Sequence, residues 1–196
     1  MVTKLKYGNT NTYFIRGTMG GILLDTDYAG TLPAFYKELK NNNISINDIT
    51  YVLATHYHPD HIGLLGELAD IGIKVLIADV QASSVHFSDD LYKRETQLKY
   101  KPISEDIATI ISCDESRWFL SKLGIDGEVI CTSSHSPDSI SLVLDDGNCF
   151  VGDLEPEEYI DGYENNEALK VDWAKIRSLG PRIIHYGHAP EKMLEE

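Results

Sequence analysis

The chain has 196 residues, of which 42% are hydrophobic and 24% are charged, a composition typical of a folded domain and unlike that of a disordered protein. With 17 basic and 31 acidic residues, its formal net charge is −14, which disfavours polyanionic partners such as nucleic acid or an anionic membrane surface. No apolar run approaches the ~18 residues of a membrane helix and no secretory signal pattern opens the chain, so we expect a cytoplasmic protein.

Short apolar runs separated by turn residues organise the first half of the chain. They predict, in order, an antiparallel pair of strands at 12–16 and 21–25, a helix from Leu32 with Thr31 as its N-cap, a strand at 49–54, a helix at 62–71 closed by Gly72, and a strand at 74–78. A strand, helix and strand in succession are typical of a parallel crossover. An α/β architecture is therefore expected.

The second half is predicted to return to strands after a less regular stretch. Residues 81–126 indicate helical pieces at 89–99 and 115–123 and no clear strand. Beyond them the pattern predicts strands at 128–132, 139–144 and 149–152, a helix at 167–179 and a strand at 182–185. Asp145, Asp146 and Gly147 are typical of a hairpin turn between two of these strands.

Four residues with metal-binding side chains follow the strand predicted at 49–54. His56, His58 and His61 are three of the seven histidines, and Asp60 lies among them. A turn between a strand and a helix is where open α/β sheets place their ligand sites. Residues two apart on extended backbone project to the same side, so His56 and His58 can bind one ion while Asp60 and His61 face a second position.

The three cysteines provide no alternative site. Cys113, Cys131 and Cys149 cannot all pair with one another, and their spacing is unlike that of a disulfide scaffold or a cysteine zinc site. Histidine and carboxylate side chains are therefore the expected ligands of any metal.

The pattern HxHxDH, formed by His56, His58, Asp60 and His61, resembles the signature of the metallo-β-lactamase superfamily. Further matches follow in family order: ILLDT at 22–26, HSPDS at 135–139, VGD at 151–153 and YGH at 186–188. The resemblance implies a single domain over residues 1–196. Its fold would be a four-layer αβ/βα sandwich of the α/β (α+β) class, in which two mixed sheets are flanked by helices.

The resemblance also implies a dinuclear metal site. The seven expected ligands are His56, His58 and His135 for a first metal, Asp60, His61 and His188 for a second, and Asp153 as the bridge between them. Asp25 would lie behind the ligands and accept a ring N–H, which fixes a histidine tautomer. The implied cofactors are two divalent ions, with zinc preferred and iron or manganese as alternatives.

Several departures from the family pattern limit the functions that we expect for this chain. Asp27 and Asp138 stand where the family usually has glycine, so both add acid near the site. The bridging motif supplies Asp153 and no cysteine ligand, which disfavours β-lactam hydrolysis. Because the chain ends soon after His188, we do not expect the C-terminal helical domain of glyoxalase II-like thioesterases, and no basic exosite of the tRNA-processing members is evident.

The expected function is hydrolysis of a small ester, thioester, lactone or amide by a metal-bound hydroxide. Asp60 would be the catalytic residue that orients the hydroxide and receives its proton. The alternatives are an iron-dependent oxidoreductase, of the sulfur dioxygenase or di-iron type, and a phosphodiesterase or nuclease. Di-iron oxidases usually carry glutamate where His58 stands, which disfavours that alternative. Residues 81–126 are the predicted cover of the site.

An acidic segment after the bridging ligand predicts the charge of the substrate. Residues 153–167 contain seven acids and no base, and the first of them must lie near the metal ligands. Their field would repel a polyanion and accept a neutral or cationic molecule. We therefore expect a small-molecule substrate, with no nucleic acid or membrane partner, and leave a homodimer open. His86 and Tyr57 are not expected in the catalytic machinery, and His185 is expected to pack or hydrogen-bond nearby.

Overall fold

The computed structural model describes residues 1–104, 106, 108–162 and 166–194. Eleven strands within these residues form two sheets. The first sheet has the order β1 (Val2–Leu5), β2 (Thr12–Arg16), β3 (Gly21–Leu24), β4 (Ile49–Leu53), β5 (Lys74–Ala78) and β6 (Thr109–Ile111). The second has the order β11 (Lys192–Met193), β10 (Ile183–Tyr186), β9 (Asn148–Gly152), β8 (Ile140–Leu144) and β7 (Gly127–Cys131).

Both sheets are mixed. In the first, β1 to β3 are antiparallel and β3 to β6 are parallel. In the second, β7 to β9 are antiparallel, β9 and β10 are parallel, and β10 and β11 are antiparallel. The described α-helices are α1 (Leu32–Asn41), α2 (Pro59–Ile62), α3 (Leu65–Asp70), α4 (Asp89–Arg94), α5 (Ser116–Ser121) and α6 (Glu167–Ser178).

The buried side chains divide into three layers of packing. Ile22 and Leu53 of the first sheet meet Leu142 and Phe150 of the second in the central core. The outer face of the first sheet packs against the helices of the first half, where α1 buries one face through Phe35 and Leu39, four residues apart. The outer face of the second sheet packs against Trp173 and Ile176 of α6. The expected four-layer sandwich of two mixed sheets flanked by helices is confirmed.

Most predicted elements are confirmed to within one or two residues at each end, including the hairpin between β8 and β9. Thr31 occupies the N-cap position of α1, but its hydroxyl donates to the Tyr28 carbonyl at 2.7 Å and does not cap the helix. Among the described residues, no helix combines the length and the apolar character that a membrane crossing needs.

The continuous helix predicted at 62–71 is wrong, because the chain forms α2 and α3 with a break between them. The Thr26 backbone N–H and hydroxyl both donate to the His61 carbonyl, at 2.9 and 3.1 Å. The Leu64 N–H donates to the Thr26 hydroxyl at 3.2 Å. At Gly63 a Cβ would lie 2.1 Å from the Ala29 nitrogen. The loop after β3 therefore takes the hydrogen bonds that would continue the helix.

The expectation of no strand within 81–126 is also wrong. β6 pairs in parallel with β5, from Leu76 opposite Thr109 to Ala78 opposite Ile111. The strand has three residues and its central side chain, Ile110, is 57% exposed, so it lacks the length and pattern that would predict it. The helix predicted at 89–99 ends at Arg94, and a 3-10 turn follows at Thr96–Leu98.

Candidate metal centre

The seven residues expected to bind metal lie at one edge of the sandwich. His56 follows β4, His135 follows β7, Asp153 follows β9 and His188 follows β10. The three strands of the second sheet in this set, β7, β9 and β10, run in the same direction, so their carboxyl ends meet at this edge. Asp60 and His61 reach the same place from α2.

A first donor set consists of His56, His58, His135 and Asp153. His58 Nδ1 lies 3.0 Å from His56 Nε2 and 3.3 Å from His135 Nε2. Asp153 Oδ2 lies 3.8 Å from His56 Nε2 and 3.9 Å from His135 Nε2. Three imidazole nitrogens and one carboxylate oxygen therefore converge on a common point.

A second donor set consists of Asp60, His61 and His188. Asp60 Oδ2 lies 3.0 Å from His188 Nε2 and 3.9 Å from His61 Nε2. The other carboxylate oxygen of Asp153, Oδ1, lies 3.3 Å from His61 Nε2 and 3.4 Å from His188 Nε2. Asp153 thus faces the first set with one oxygen and the second set with the other.

The separations between the donor atoms suit coordination of a metal ion better than direct hydrogen bonds between the side chains. Zinc–ligand distances of about 2.0–2.1 Å in a tetrahedral site place neighbouring donors roughly 3.3 Å apart, which is close to the separations seen in both sets. Among the described residues, His61 Nε2 and Asp153 Oδ1 are buried 3.3 Å from each other, and neither makes a well-aligned hydrogen bond. Buried polar atoms left in this way are rare and indicate an unfilled binding role. The residues present therefore fit two divalent ions.

Asp25 lies behind the second set. Its carboxylate accepts hydrogen bonds from the Thr55 N–H at 2.6 Å and the Thr55 hydroxyl at 2.9 Å, and Oδ2 lies 3.0 Å from His61 Nδ1. A carboxylate on Nδ1 holds the proton there and leaves Nε2 free as a metal ligand. Asp25 itself has φ of 58°, a left-handed conformation that aspartate tolerates better than most residues. The predicted position of Asp25 is thus the observed one.

Burial lowers the pKa values of the histidines, and the neighbouring carboxylates raise them. Burial lowers the pKa of His56 far below its ordinary value and also lowers the pKa of His135. Burial disfavours protonated His61 as well, but Asp25 and Asp153 outweigh it and raise the pKa of His61 to about 10. Burial would raise the pKa of Asp153, yet His61 beside it lowers that pKa below its usual range. A metal entering the second set must therefore displace a proton from His61.

This constellation and its fold match a known family. The model of the Metallo-beta-lactamase superfamily matches residues 5–188. The chain belongs to that superfamily. The resemblance of the HxHxDH pattern is thereby confirmed as family membership.

Curated relatives within the superfamily are distant. The "Beta-lactamase-like protein 2 homolog" of Caenorhabditis elegans is 26% identical over 200 residues, which cover 95% of this chain and 59% of the relative. The "Lactamase-like protein nscB" of Trichophyton rubrum is 31% identical over 146 residues, which cover 74% of this chain and 38% of the relative. The chain spans about half the length of these curated relatives.

Solved structures of the superfamily share the fold. The metallo-beta-lactamase family protein TTHA1429 from Thermus thermophilus has a TM-score of 0.75 at 20% identity, over 98% of this chain and 74% of that one. TTHA1623, solved in a di-iron-bound form, has a TM-score of 0.71 at 20% identity, over 98% of this chain and 94% of that one. At this identity the likeness concerns the fold alone.

This superfamily member braces its His56–His61 turn with side chains that the sequence patterns did not single out. Gln81 Nε2 donates to the carbonyls of Ala54 and Thr55, at 2.9 and 3.3 Å. The Ser88 hydroxyl donates to the Tyr57 carbonyl at 2.6 Å. The Tyr92 hydroxyl donates to the Pro59 carbonyl at 2.6 Å. Hydrogen bonds to backbone carbonyls leave no sequence signal, because any residue can supply the carbonyl.

These bonds give part of the segment 81–126, which was expected to cover the site, a supporting role as well. The part from Gln81 to Tyr92 holds the turn from behind, through buried side chains. Phe87 alone among the residues named here contributes a wall, because its ring lies 5.6 Å from the ring of His58 and is 66% exposed. The part from Gln81 to Tyr92 therefore supports the turn and adds one aromatic side chain, Phe87, beside His58.

The acidic segment is partly neutralised in the structure. Glu157 pairs with Arg177 at 3.0 Å, Glu158 with Lys192 at 2.5 Å and Glu167 with Lys170 at 3.2 Å. Glu164 lies outside the described residues. Glu155 and Asp153 line a cavity of about 250 Å³ beside the site. These two acids are therefore the members of the segment that border the cavity.

The other histidines, the three cysteines and the side chain of Tyr57 contribute no donor atom to either set. His185 is stacked on Phe150, with ring centroids 4.6 Å apart, and its Nε2 lies 2.7 Å from Asn148 Oδ1. His86 pairs with Asp89 at 3.0 Å. Of the cysteines, Cys149 is buried and the other two are half-buried. Tyr57, which is not expected in the catalytic machinery, has its ring fully buried in the core.

Gly187 lies against the donor atoms although it supplies none. A Cβ at this position would lie 2.6 Å from Asp153 Oδ1 and 2.9 Å from His61 Cε1. The Gly187 N–H donates to the Gly152 carbonyl, and its own carbonyl accepts from the Asn11 N–H, both at 2.7 Å. The absence of a side chain therefore lets β10 lead His188 past the bridging carboxylate.

Proposed function

We propose that the protein is a hydrolase that uses two divalent metal ions, zinc in preference to iron or manganese, to cleave a small ester, thioester, lactone or amide. The observation that carries this proposal is the position of Asp153, whose Oδ2 faces the first donor set and whose Oδ1 faces the second. A carboxylate shared in this way suits two ions side by side, as in hydrolytic two-metal sites.

The ligands of the proposed ions are the seven residues of the two donor sets. When bound, the ions would supply a hydroxide nucleophile at neutral pH and polarise the carbonyl oxygen of the substrate. The first ion would be held by His56, His58 and His135, the second by Asp60, His61 and His188, and both by Asp153. Asp25 would keep His61 in the tautomer that presents Nε2.

Proton transfer is assigned to Asp60. Its Oδ2 lies 3.0 Å from His188 Nε2, at the partly exposed side of the site. Its backbone carbonyl accepts a hydrogen bond from the Thr10 hydroxyl at 2.7 Å, which fixes the first turn of α2. A carboxylate held in this way can orient the attacking group and receive its proton.

The cavity beside the donor atoms suggests the kind of substrate. Its lining includes three of the proposed ligands, one acid and three apolar residues, namely His135, Asp153, His188, Glu155, Leu154, Pro156 and Ala189. A volume of about 250 Å³ suits a small molecule. The Glu155 carboxylate favours a neutral or cationic molecule over a polyanion. We therefore propose a small-molecule substrate, with neither nucleic acid nor a membrane as partner.

Metal analysis followed by a substrate panel tests the proposal. Protein purified without chelator is expected to contain about two transition-metal ions per chain. It should hydrolyse at least one chromogenic ester, thioester, lactone or amide, lose that activity on chelation, and regain it with zinc. The Asp60→Asn protein serves as the control for contaminating hydrolases.

The same measurements test the alternatives. Iron as the only metal that restores function, together with oxygen consumption and no hydrolysis, would replace the proposal by an iron-dependent oxidoreductase. Faster cleavage of phosphodiesters or of tRNA precursors than of any small ester, strongest at low salt, would replace it by a phosphodiesterase or nuclease. A protein that takes up no metal would overturn all three.

A further inference from the structure

Asp138 lies in the connection between β7 and β8, three residues after His135. It is one of the two acids that stand where the family usually has glycine. Its side chain is nearly buried, with 6% of the residue exposed. Its Oδ2 accepts a hydrogen bond from the Tyr57 N–H at 2.7 Å, and its Oδ1 accepts one from the Ser136 hydroxyl at 2.8 Å. Asp138 therefore reaches from one ligand-bearing loop to another.

Tyr57, the residue that Asp138 contacts, stands between His56 and His58. Its ring is fully buried in the core beneath the first sheet. Its carbonyl accepts a hydrogen bond from the Ser88 hydroxyl at 2.6 Å. The ring, the N–H and the carbonyl of Tyr57 are thus each held by a different part of the molecule. A rotation of this peptide would change the position of His56 relative to His58, because the two histidines lie on either side of it.

The contact also sets the spacing between the two loops. The Ile140 N–H at the start of β8 donates to the Thr55 carbonyl at 2.9 Å, so the loops are joined on both sides of His56. The His58 nitrogen then lies within 3.0–3.3 Å of the nitrogens of His56 and His135. A hydrogen bond from an N–H to an ionised carboxylate is about twice as strong as a neutral one, so the Asp138 contact is well suited to fix this spacing.

We propose that Asp138 is a positioning residue for the first donor set, acting on His56 and His58 through the Tyr57 peptide. The inference rests on the proposed metal centre and is independent of which reaction that centre performs. Glycine at position 138 has no side chain and could not hold the Tyr57 N–H. Residues that support metal ligands typically change metal affinity by about 10–100-fold when they are replaced.

A purely local role makes a different prediction. Asp138 also closes its own loop, through Ser136. If that were its whole role, replacing it would lower the stability of the fold but leave the metal affinity of the folded protein unchanged. Metal affinity, measured beside thermal stability, therefore separates the two roles.

The test compares Asp138→Asn with Asp146→Asn, which removes the same charge from the exposed β8–β9 turn at the opposite end of the strands. Zinc binding to the metal-free proteins is measured by competition with a chelator, in the wild-type and His188→Ala backgrounds. Asp138→Asn is expected to weaken zinc binding by about 10–100-fold in both backgrounds, because the first set is intact in each. The Tyr57 amide proton of the metal-free protein should move upfield, and Asp146→Asn should change neither observable.

Unchanged zinc affinity in folded Asp138→Asn would overturn the inference, whatever the melting temperature. Should that variant fail to fold, the test uses Ser136→Ala, which removes the donor to Oδ1 together with the contact of the same hydroxyl to Ser139 at 2.7 Å. It is expected to weaken zinc binding in the same direction by a smaller factor, and no change would overturn the inference. A wild-type protein that binds no zinc overturns the proposed function together with this inference. A wild type that binds two ions, with variants that bind them equally, overturns the inference alone.

Discussion

The two donor sets share Asp153 but differ in how the fold supports them. His56 of the first set is 1% exposed, and its turn is held by three side chains from two other segments, Gln81 and Ser88 from one and Asp138 from the other. His188 of the second set has a side chain that is 40% exposed, and its loop is held chiefly through Asn11, whose amide donates to the carbonyls of Tyr186 and Ala189 at 2.9 Å. The first set is thus held through the braced turn that carries His56, while the second, although His61 is buried, reaches the rim through His188.

The difference suggests that the two sets bind their ions with different affinities. A donor set inside the fold loses little conformational freedom on binding and should hold its ion tightly. A set with a ligand at the rim should exchange its ion more readily. The cavity borders both sets, through His135 of the first, His188 of the second and the shared Asp153. Replacement of single ligands tests whether the two ions differ in affinity.

Asp153→Ala should damage both sets at once. The first set would keep three histidines, a ligand number found in open zinc sites, while the second would lose its shared carboxylate. We expect the metal content to fall from about two ions to about one or fewer per chain, with activity lost. Elemental analysis measures this, with Asp146→Ala as the control. His135→Ala should lower the content through the first set alone, and unchanged metal content in both variants would refute the assigned constellation.

Asp60→Asn should separate chemistry from binding. The amide keeps the shape and one oxygen donor but cannot accept the proton or supply the negative charge. Activity on the best substrate is therefore expected to fall by about 10²–10⁴-fold, while metal content falls much less. Steady-state kinetics and elemental analysis of the same preparation check this. An active asparagine variant would mean that Asp60 serves only as a ligand.

His188→Ala should affect only the rim set. Its loss is expected to weaken one of the two ions by at least about tenfold and to leave the other unchanged. Chelator competition on the wild type should show two phases, and the weaker phase should disappear in the variant. Equal weakening of both ions would show that the two sets do not differ as their burial indicates.

His185 lies three residues before His188 but belongs to neither donor set, so its titration should affect stability and not metal binding. Burial lowers the pKa of His185 to about 4. The unfolded chain therefore binds more protons than the folded one between about pH 6.5 and 4, and stability is lost as the pH falls through this window. His185→Gln keeps a donor for Asn148 but does not titrate. Between pH 7 and 4 the wild type should lose about 1–2 kcal/mol more stability than the variant, allowing for partial solvent screening. Parallel stability curves would contradict this.

The layout of the fold was predictable from the sequence wherever an element buries one face. Phe35 and Leu39 predicted α1, and the apolar run of β4 predicted a strand with its chemistry at the end. β6 was not predictable, because Ile110 is exposed and the strand depends on β5 for its hydrogen bonds. The break after α2 was hidden as well, since it depends on Thr26, a residue more than thirty positions away.

The candidate site also contains residues that the sequence predicted and residues that it did not. The donor residues have side chains whose chemistry is visible in the sequence, and the structure brings all seven together. Their supports were visible only in part. Asp25 belongs to a motif, whereas Gln81, Ser88 and Tyr92 act on backbone carbonyls that carry no residue-specific signal. The ion pairs of the acidic segment were not predictable either, because its distant partners Arg177 and Lys192 cannot be identified from sequence spacing.

The tight packing around Gly187 has a consequence for mutational scans. Any side chain at this position would collide with Asp153 and His61, so its replacement should lower metal uptake as the loss of a ligand does. A saturation library selected for metal-dependent function would therefore recover glycine alone at position 187. In such a scan, position 187 would tolerate as few substitutions as the metal ligands do, although glycine has no side-chain donor atom. A true ligand position would still accept another coordinating side chain, and position 187 would not.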